Sequence, residues 1–265
     1  MKVYMLRGLS AAASGMYAQQ RKTDLITNNL ANMNTPGYKE SQSAMRAFPE
    51  MLLQKVGGME TPNIPTEVGS INTGVYMQET MPRYVQGDLY QTNQNTDLAL
   101  TNGPNGTVFF TVEDQDQIKY TRNGRLVLNE EGLLTTTDGF PILDRQGNQI
   151  TLESDQFTVT SDGAIMENDN QVAQLGIAIA ADPLGLIQEG NSLLRIEEGA
   201  EELPFADQEP FTVTQGFYER SNVDPSRAMT EMLSAYRSFE ANQKIVQAYD
   251  RSLDKAVNEV GKVNG

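Results

Sequence analysis

Two short acidic runs come nearest to forming a chemical site in this chain. Asp114 and Asp116 alternate as in the first part of a calcium-binding loop, and 167–170 is a second run rich in side-chain oxygens. Both runs lack the glycine at the sharp turn and the closing glutamate of such a loop. We therefore predict two hairpin tips here, and no bound metal ion.

The composition also argues against most kinds of catalytic site. The chain has no cysteine, histidine or tryptophan, which excludes thiolate and imidazole catalysis and an ordinary zinc site. Gly103 and Gly106 do not form a phosphate loop, because the Lys-Ser/Thr ending is missing and a predicted strand follows them. Paired carboxylates could still hydrolyse a glycosidic bond, but no spacing identifies a pair. We predict no catalytic residue, no cofactor and no small-molecule substrate.

Charge and hydropathy also restrict the partners. The 265 residues carry a formal net charge of −15, which disfavours binding to nucleic acid. No run of about 18 apolar residues is present, so we expect no membrane insertion. The N-terminus resembles a signal peptide only weakly, because Arg7 interrupts its apolar stretch and the helical periodicity continues beyond Ala13. We expect these residues to remain in the mature protein as a helix.

Each end of the chain has the pattern of a long amphipathic helix. The first helix is predicted from about Met5 to about Asn32, ahead of a turn at Pro36. The last begins at Pro225 behind the N-cap residue Asp224. At about 39 residues it would be roughly 58 Å long, which exceeds the width of a small domain. Part of its apolar face should therefore contact a partner outside the β-region.

A heptad repeat describes the apolar seams of the two helices. In the first helix, positions a are Leu6, Ala13, Gln20 and Thr27, and positions d are Leu9, Met16, Thr23 and Leu30. In the last helix, positions d are Met232, Phe239, Val246, Leu253 and Val260, and positions a are Met229, Tyr236, Gln243, Asp250 and Val257. The polar members of these seams favour control of register over stability. We expect a coiled-coil-like core, formed either as a cap within one chain or with neighbouring copies.

The middle of the chain reads as β-structure. Short β-branched or aromatic runs alternate with Asn-Gly and Asp-Gly turns from about Val75 to about Tyr218, which predicts an antiparallel, meandering domain. The predicted strands are Thr107–Val112, Gln117–Tyr120, Arg125–Leu128, Leu133–Thr136, Gln149–Leu152, Phe157–Thr160 and Gln174–Ala181. Before this domain, Phe48–Leu53 is predicted to be a helical turn or a docking strip, and Val56–Thr66 a mobile linker.

The expected fold class is therefore α+β, with long terminal helices around a central antiparallel all-β domain. The predicted boundaries are 1–39 for the first helix and its Asn-Thr-Pro-Gly-Tyr motif, 40–74 for a linker or docking segment, 75–220 for the β-domain and 221–265 for the last helix.

Several motifs closely resemble those of the bacterial flagellar rod and hook proteins. They are Leu9–Met16 and Asn28–Lys39 near the N-terminus, Gln86–Leu89, Tyr120–Gly124 and Asp138–Pro141 in the middle, and Ser221–Asp224 and Tyr236–Asn242 near the C-terminus. The resemblance covers nearly the whole chain. It implies a non-enzymatic, axial subunit of the flagellar basal body, whose terminal helices pack around a central export channel while the β-domain faces outward.

The same resemblance implies the partners and the location. The subunit would assemble with itself and with neighbouring rod or hook proteins, after export by the flagellar type III apparatus without a cleaved signal peptide. Its length and single modest β-domain resemble a rod subunit more than a hook subunit, with the distal rod type first and the proximal type second. The residues predicted to form the axial subunit interface are Leu6, Leu9, Met16, Leu30, Asn32, Thr35, Pro36, Gly37, Met232, Tyr236, Phe239, Val246 and Leu253.

Two other classes of function remain open at this point. An extracellular adhesin would carry a ligand groove on the β-domain and would not need the helices. A wall-cleaving enzyme would depend on one aspartate or glutamate.

Overall fold

The computed structural model describes residues 2–55, 66–197, 199–206 and 210–260. The chain forms two compact units. Unit 1 comprises Met1–Leu30, Ser41–Met81 and Pro225–Gly265, and unit 2 comprises Ala31–Glu40 and Pro82–Asp224.

The described elements follow the predicted order of helix, strands and helix. The long helices are α1 (Lys2–Ala31) and α2 (Pro225–Val260). The first six strands are β1 (Ser41–Gln42), β2 (Met45–Ala47), β3 (Met51–Lys55), β4 (Thr66–Ile71), β5 (Val75–Met77) and β6 (Met81–Pro82). The remaining strands are β7 (Leu89–Gln91), β8 (Leu98–Thr101), β9 (Thr107–Asp114), β10 (Gln117–Thr121), β11 (Leu126–Leu128), β12 (Leu134–Thr136), β13 (Thr158–Val159), β14 (Ala164–Glu167), β15 (Asn170–Gln174), β16 (Ile177–Ala180), β17 (Ile187–Gln188), β18 (Leu193–Arg195), β19 (Thr212–Gln215) and β20 (Phe217–Glu219), with a short 3-10 helix at Pro183–Gly185.

Unit 1 combines the two helices with small antiparallel hairpins. Strand β2 pairs with β5, and β3 pairs with β4. The predicted start of the last helix at Pro225 is confirmed. For Phe48–Leu53 the sequence predicted either a helical turn or a docking strip. Strand β3 begins at Met51, so the helical turn was wrong. Residues 56–65 of the predicted linker Val56–Thr66 lie outside the described residues.

Unit 2 is an antiparallel β-structure with a continuous apolar core, which confirms the predicted class. Its largest described sheet has the order β16-β9-β10-β18-β17, and β13-β14-β15 form a three-stranded sheet. Pairs β11-β12, β8-β19 and β7-β20 complete the pairing. The core contains Leu98, Phe110, Leu134, Ile142 and Ile165, all fully buried. Together with the helices, this makes the chain an α+β protein.

Two predicted strands differ from the structure. The run predicted as one strand at Gln174–Ala181 is split between β15 and β16, because Gly176 lies against the backbone carbonyls of Leu143 and Asp144, which leave no room for a side chain. The run at Gln149–Leu152 makes only isolated bridges and is not a strand.

The two acidic runs are hairpin tips, as predicted. Gln115 and Asp116 join β9 to β10 with φ angles of 52° and 62°. Asn168 and Asp169 join β14 to β15 with φ angles of 51° and 62°. Two successive residues with positive φ form a type I′ turn, which matches the twist of the flanking strands.

Candidate functional site: the terminal helices and the motif junction

Helices α1 and α2 contact each other in opposite directions. A Cβ atom placed on Gly8 would overlap the Tyr249 hydroxyl, and one placed on Gly15 would lie 3.0 Å from Asn242 Nδ2. A step of seven residues forward along α1 is thus a step of seven residues back along α2. The two helices are antiparallel, and the two glycines leave room for side chains of α2.

Burial along α2 marks one face of that helix. Its buried and half-buried residues in the described part are Ala228, Met232, Ala235, Phe239, Asn242, Val246, Tyr249 and Leu253, with Glu231 and Ser238 at the border. Their alternate spacing of four and three residues is that of a helix with one covered face. The predicted d residues from Met232 to Leu253 lie on this face, whereas the predicted a residues Met229, Tyr236, Gln243 and Asp250 are exposed.

The first helix departs from its predicted seam in a similar way. Its buried residues in the described part are Ala12, Ala18, Ile26 and Asn29. The predicted d residues Leu9, Met16, Thr23 and Leu30 are half-buried, and the predicted a residues Ala13, Gln20 and Thr27 are exposed. The side chains of Leu6, Val257 and Val260 lie outside the described residues.

These positions correct one expectation about register. Gln20, Gln243 and Asp250 are exposed, so the prediction that they set the register is wrong for the contact between α1 and α2, whereas Thr23 is half-buried and its role stays a prediction. On α1 the heptad was offset by one residue from the contact points Gly8 and Gly15, because a heptad search passes over glycine. On α2 the predicted d residues do lie on the covered face. The role of the predicted residues in contacts between subunits stays a prediction.

Side chains of α1 also hold the hairpins of unit 1. Ser14 Oγ accepts a hydrogen bond from the Val75 N–H at 3.2 Å. The buried Asn29 amide donates to the Ser41 carbonyl at 2.8 Å and accepts from the Ser41 N–H at 2.9 Å. Because the amide satisfies both backbone groups of Ser41, it acts toward β1 as a neighbouring strand would.

A second face of α2, beside the covered one, leaves large apolar side chains exposed. Met229 is 50% exposed, Leu233 58% and Tyr236 55%. Their spacing of four and three residues puts them side by side on the helix surface. Aligned apolar side chains of this size are typical of a surface that a partner covers.

In unit 2, three sequence motifs meet at the buried carboxylate of Glu219. Lys39 Nζ lies 2.6 Å from Oε1, and Arg122 Nε lies 2.5 Å from Oε2. The Gly87 N–H also donates to Oε1, at 2.6 Å. The side chains of all three charged residues are at most 5% exposed, so the cluster is shielded from solvent.

The two cations also donate to neutral acceptors. Lys39 Nζ donates to the Val85 carbonyl at 2.9 Å. The Arg122 guanidinium donates to Gln86, Leu100, Asn102 and Val108, so all its N–H groups have acceptors. Burial lowers the pKa of both Lys39 and Arg122, and the Glu219 carboxylate opposes that shift. A buried cluster of this kind is stable only while each charge keeps its partner.

Hydrogen bonds beside the charge cluster of Lys39, Arg122 and Glu219 also hold together the chain segments that adjoin the helices. The Gly37 N–H donates to the Glu219 carbonyl at 2.8 Å, and the Glu40 N–H donates to Asn222 Oδ1 at 2.6 Å. Gly37 has φ +71°, and a Cβ there would overlap the Arg122 backbone. Within unit 2, the segment after α1 and the segment before α2 thus lie side by side.

The other predicted residues of the N-terminal motif belong to the same turn. Thr35 donates from its N–H to the Asn32 carbonyl at 3.1 Å and from its hydroxyl to Asn32 Oδ1 at 3.2 Å, and Pro36 is half-buried. Sequence reasoning missed the charge cluster itself. Its signal was present, because Lys39 ends one motif, Arg122 lies within another and Glu219 stands just before a third.

The described part of the chain holds no group of three or more acidic residues that could bind a metal ion. Neither of its long helices combines the length and the apolar character needed to cross a bilayer.

Comparison with known proteins identifies the family. Three family profiles match: "Flagella basal body rod protein" over residues 9–39, "Flagellar hook protein FlgE/F/G D1 domain" over 105–182 and "Flagellar basal body rod FlgEFG protein C-terminal" over 214–259. The chain is 44% identical to the flagellar hook-basal body complex protein FlhO of Bacillus subtilis (strain 168), over 98% of this chain and 100% of that protein. It is 31% identical to the flagellar basal-body rod protein FlgG of the same strain (96% and 99% covered) and 28% identical to the rod protein FlgF of Caulobacter vibrioides (98% and 100% covered). The chain therefore belongs to the rod and hook family of non-enzymatic, structural proteins of the flagellar basal body.

Proposed function

We propose that this protein is a subunit of the flagellar rod, of the distal type, and that copies of it assemble into a helical tube around the export channel. The tube transmits torque from the motor to the hook. The observation that carries this proposal is the exposed apolar face of α2, formed by Met229, Leu233 and Tyr236. Contacts that repeat head to tail without closing into a ring generate such a tube.

The antiparallel contact of α1 with α2 supports a coiled-coil-like axial core. Gly8 and Gly15 leave room for Tyr249 and Asn242 of α2, and α2 offers one face to α1 and a second face to a neighbour. A subunit that transmits torque needs many such contacts in parallel and has no need for a catalytic site.

Export through the flagellar type III apparatus, without cleavage of a signal peptide, is the route that we propose to the basal body. Membership of a basal-body family supports it. Mass spectrometry of the N-terminus in purified basal bodies tests it: a rod protein that still begins with the residues of α1 is expected, and one trimmed after Ala13 would contradict the proposal.

A deletion strain tests the axial role. We expect non-motile cells that carry truncated rods without hooks and spill hook protein into the medium. Complementation with the intact chain should restore swimming. Normal swimming with complete basal bodies would overturn the rod assignment.

The length of the rod in that strain tests the position. A subunit of the distal rod leaves a proximal rod segment when it is deleted, whereas the alternative, a proximal subunit, leaves no rod beyond the base. We expect a remaining proximal rod segment. The absence of any rod would contradict the distal position but would leave the axial role intact.

An adhesin has less support from the geometry. A cavity of unit 2, lined by Arg145, Asp162 and Phe211 among others, has a volume of about 240 Å³. Sites for small ligands commonly enclose about 300–1,000 Å³, so this cavity is smaller than the ligand groove that an adhesin would need.

A further inference from the structure

A groove in unit 1 lies between α1 and the residues at the end of β5. Its volume is about 460 Å³. Its walls include Tyr17, Arg21, Asp24 and Leu25 of α1, and Met77 and Gln78 on the other side. The Gln78 carbonyl accepts a hydrogen bond from the Ser43 hydroxyl at 2.7 Å, and the Gln78 N–H donates to the Ala44 carbonyl at 2.9 Å. The wall opposite α1 is therefore held in place by hydrogen bonds.

The groove contains a cation whose orientation is fixed. The Arg21 guanidinium donates to the Tyr17 hydroxyl from Nε at 3.0 Å and from Nη2 at 2.7 Å, and its central carbon lies 5.1 Å from the centre of the Tyr17 ring. Among the described residues, no carboxylate pairs with Arg21 and no acceptor bonds its Nη1. Because the guanidinium is already oriented, it can bind an incoming carboxylate with little further loss of side-chain entropy.

The groove lies on the side of α1 that faces away from α2 of the same chain. Helix α2 contacts α1 at Gly8 and Gly15. Tyr17 and Asp24 follow Gly15 by two and nine residues, which places them about 160–180° round the helix from it. In the described part of the chain, no residue of α2 lines the groove. A copy of α2 that fills the groove would therefore belong to a second chain.

The exposed apolar face of α2 carries groups that complement the groove. Glu240 follows Tyr236 by four residues, so it continues that face toward the C-terminus. It is exposed, and it has no ion-pair partner among the described residues. On α1, Leu25 follows Arg21 by the same four residues. Two antiparallel helices can thus bring Glu240 to Arg21 and Tyr236 to Leu25 at the same time.

We infer that the groove of one copy receives the exposed apolar face of α2 of a second copy. The Tyr236 ring lies beside Leu25 and Met77, and the Glu240 carboxylate binds the Arg21 guanidinium. The groove and the helix face are different surfaces of the chain, so the contact is head to tail and can repeat without closing. The inference rests on the proposed function, and it adds the surface of the neighbour that covers α2.

Charge reversal tests the ion pair. Arg21→Glu and Glu240→Arg each place like charges across the contact, so each should reduce the fraction of basal bodies with complete rods by about tenfold. A chain with both substitutions exchanges the two charges and should restore the rods. Arg125→Glu makes the same change at an exposed arginine of unit 2 and should leave the rods intact. Electron microscopy of basal bodies from the deletion strain, complemented with each variant, measures these fractions.

The urea midpoints of the purified monomers should match that of the natural chain, because both substituted residues are exposed. Complete rods with Glu240→Arg, no recovery in the double variant, or loss of rods with Arg125→Glu would overturn the inference. None of these results would contradict the proposed function. That function fails if the deletion strain itself builds complete rods.

Cysteine cross-linking tests the contact while it keeps the ion pair, because the natural chain has no cysteine. Asp24 lies three residues after Arg21 and Arg237 three residues before Glu240, so the antiparallel contact puts them opposite each other. One strain expresses two chains, one with Asp24→Cys and one with Arg237→Cys, so that a disulfide between the two positions can form only between copies. The control replaces Arg237→Cys by Arg251→Cys, about 21 Å further along α2.

In oxidised basal bodies, the pair with Arg237→Cys should give a covalent dimer on electrophoresis, above the background of strains that express either chain alone. The control should not, because a disulfide tolerates a Cα separation of at most about 7 Å. Absence of the dimer, or an equal yield from the control, would overturn the inference.

Discussion

The helices of unit 1 and the β-structure of unit 2 bury different kinds of residue. Unit 2 fully buries large side chains such as Phe109, Phe110 and Tyr120. The described helices of unit 1 bury mainly alanines, while Leu233 and Tyr236 remain exposed. Burial of large apolar groups is the main stabilising contribution to a fold. Unit 2 therefore has a core of its own, and we propose that the helices gain most of their apolar contacts only when a neighbour covers them.

The largest expected effect on stability comes from breaking the charge cluster of unit 2. Glu219→Ala leaves Lys39 and Arg122 buried without a counter-charge, so it should lower the free energy of unfolding by about 3–5 kcal/mol. Urea unfolding followed by tyrosine fluorescence measures this change. Glu231→Ala removes an exposed pair with Arg227 and should cost less than about 1 kcal/mol. Equal effects of the two variants would contradict the importance of the buried cluster.

Gly37→Ala should have the next largest effect. The residue has φ +71° and its Cβ would overlap the Arg122 backbone, so strain and overlap act together. Gly139→Ala is the matched control, because Gly139 has φ +91° with no atom within 4 Å of an added Cβ. The control should cost about 1–2 kcal/mol, the strain alone, and Gly37→Ala should cost clearly more. Equal midpoints of urea unfolding would show that the overlap is relieved at no cost.

Tyr84→Phe tests whether the core of unit 2 becomes more stable when a buried polar group is removed from it. The Tyr84 hydroxyl is buried without a hydrogen-bond partner among the described residues, so its removal should stabilise unit 2 by about 1 kcal/mol. The ring keeps its edge-on contact with Phe109. Tyr120→Phe is the control: it removes a hydroxyl that accepts from the Leu203 N–H at 3.1 Å and should destabilise. Destabilisation by both variants would contradict the account of Tyr84.

The buried Tyr84 hydroxyl also predicts how the stability of the folded chain depends on pH. Burial raises the pKa of Tyr84 to about 12, from an ordinary value near 10.0. Because the folded state holds the proton more tightly than the unfolded state, this contribution to stability is complete below about pH 10 and is lost as the pH rises toward 12. The stability of the natural chain should therefore fall more steeply than that of Tyr84→Phe between pH 10 and 12. Parallel curves would contradict the assignment.

The smallest effect on folding, and a complete effect on assembly, is expected at the exposed face of α2. Leu233→Asp should change monomer stability by no more than about 0.5 kcal/mol and should abolish rod formation. Val172→Asp, at a comparably exposed apolar residue of unit 2 (48%, against 58% for Leu233), should leave rods intact. Electron microscopy of basal bodies from strains with each variant measures this. Normal rods with Leu233→Asp would show that this face is not covered.

Local patterns explain which parts of the structure were predictable. Pro225 and the hairpin tips at Asp116 and Asp169 depend on residues close together in sequence, and their positions were predicted. The ion pair of Lys39 with Glu219 joins residues 180 positions apart, so the motifs at each end do not by themselves show that the two side chains meet. The contact face of α1 was misplaced because Gly8 and Gly15 line it, whereas a heptad search selects large apolar residues.

Hydrogen exchange tests the central claim most directly, by comparing α2 in the free monomer with α2 in purified rods. The amides of α2 should exchange rapidly in the monomer and slowly in the rod, while those of β9 and β10 should be protected in both. Amides of α2 that are as protected as those of β9 in the free monomer would contradict the claim that neighbouring subunits complete the helices.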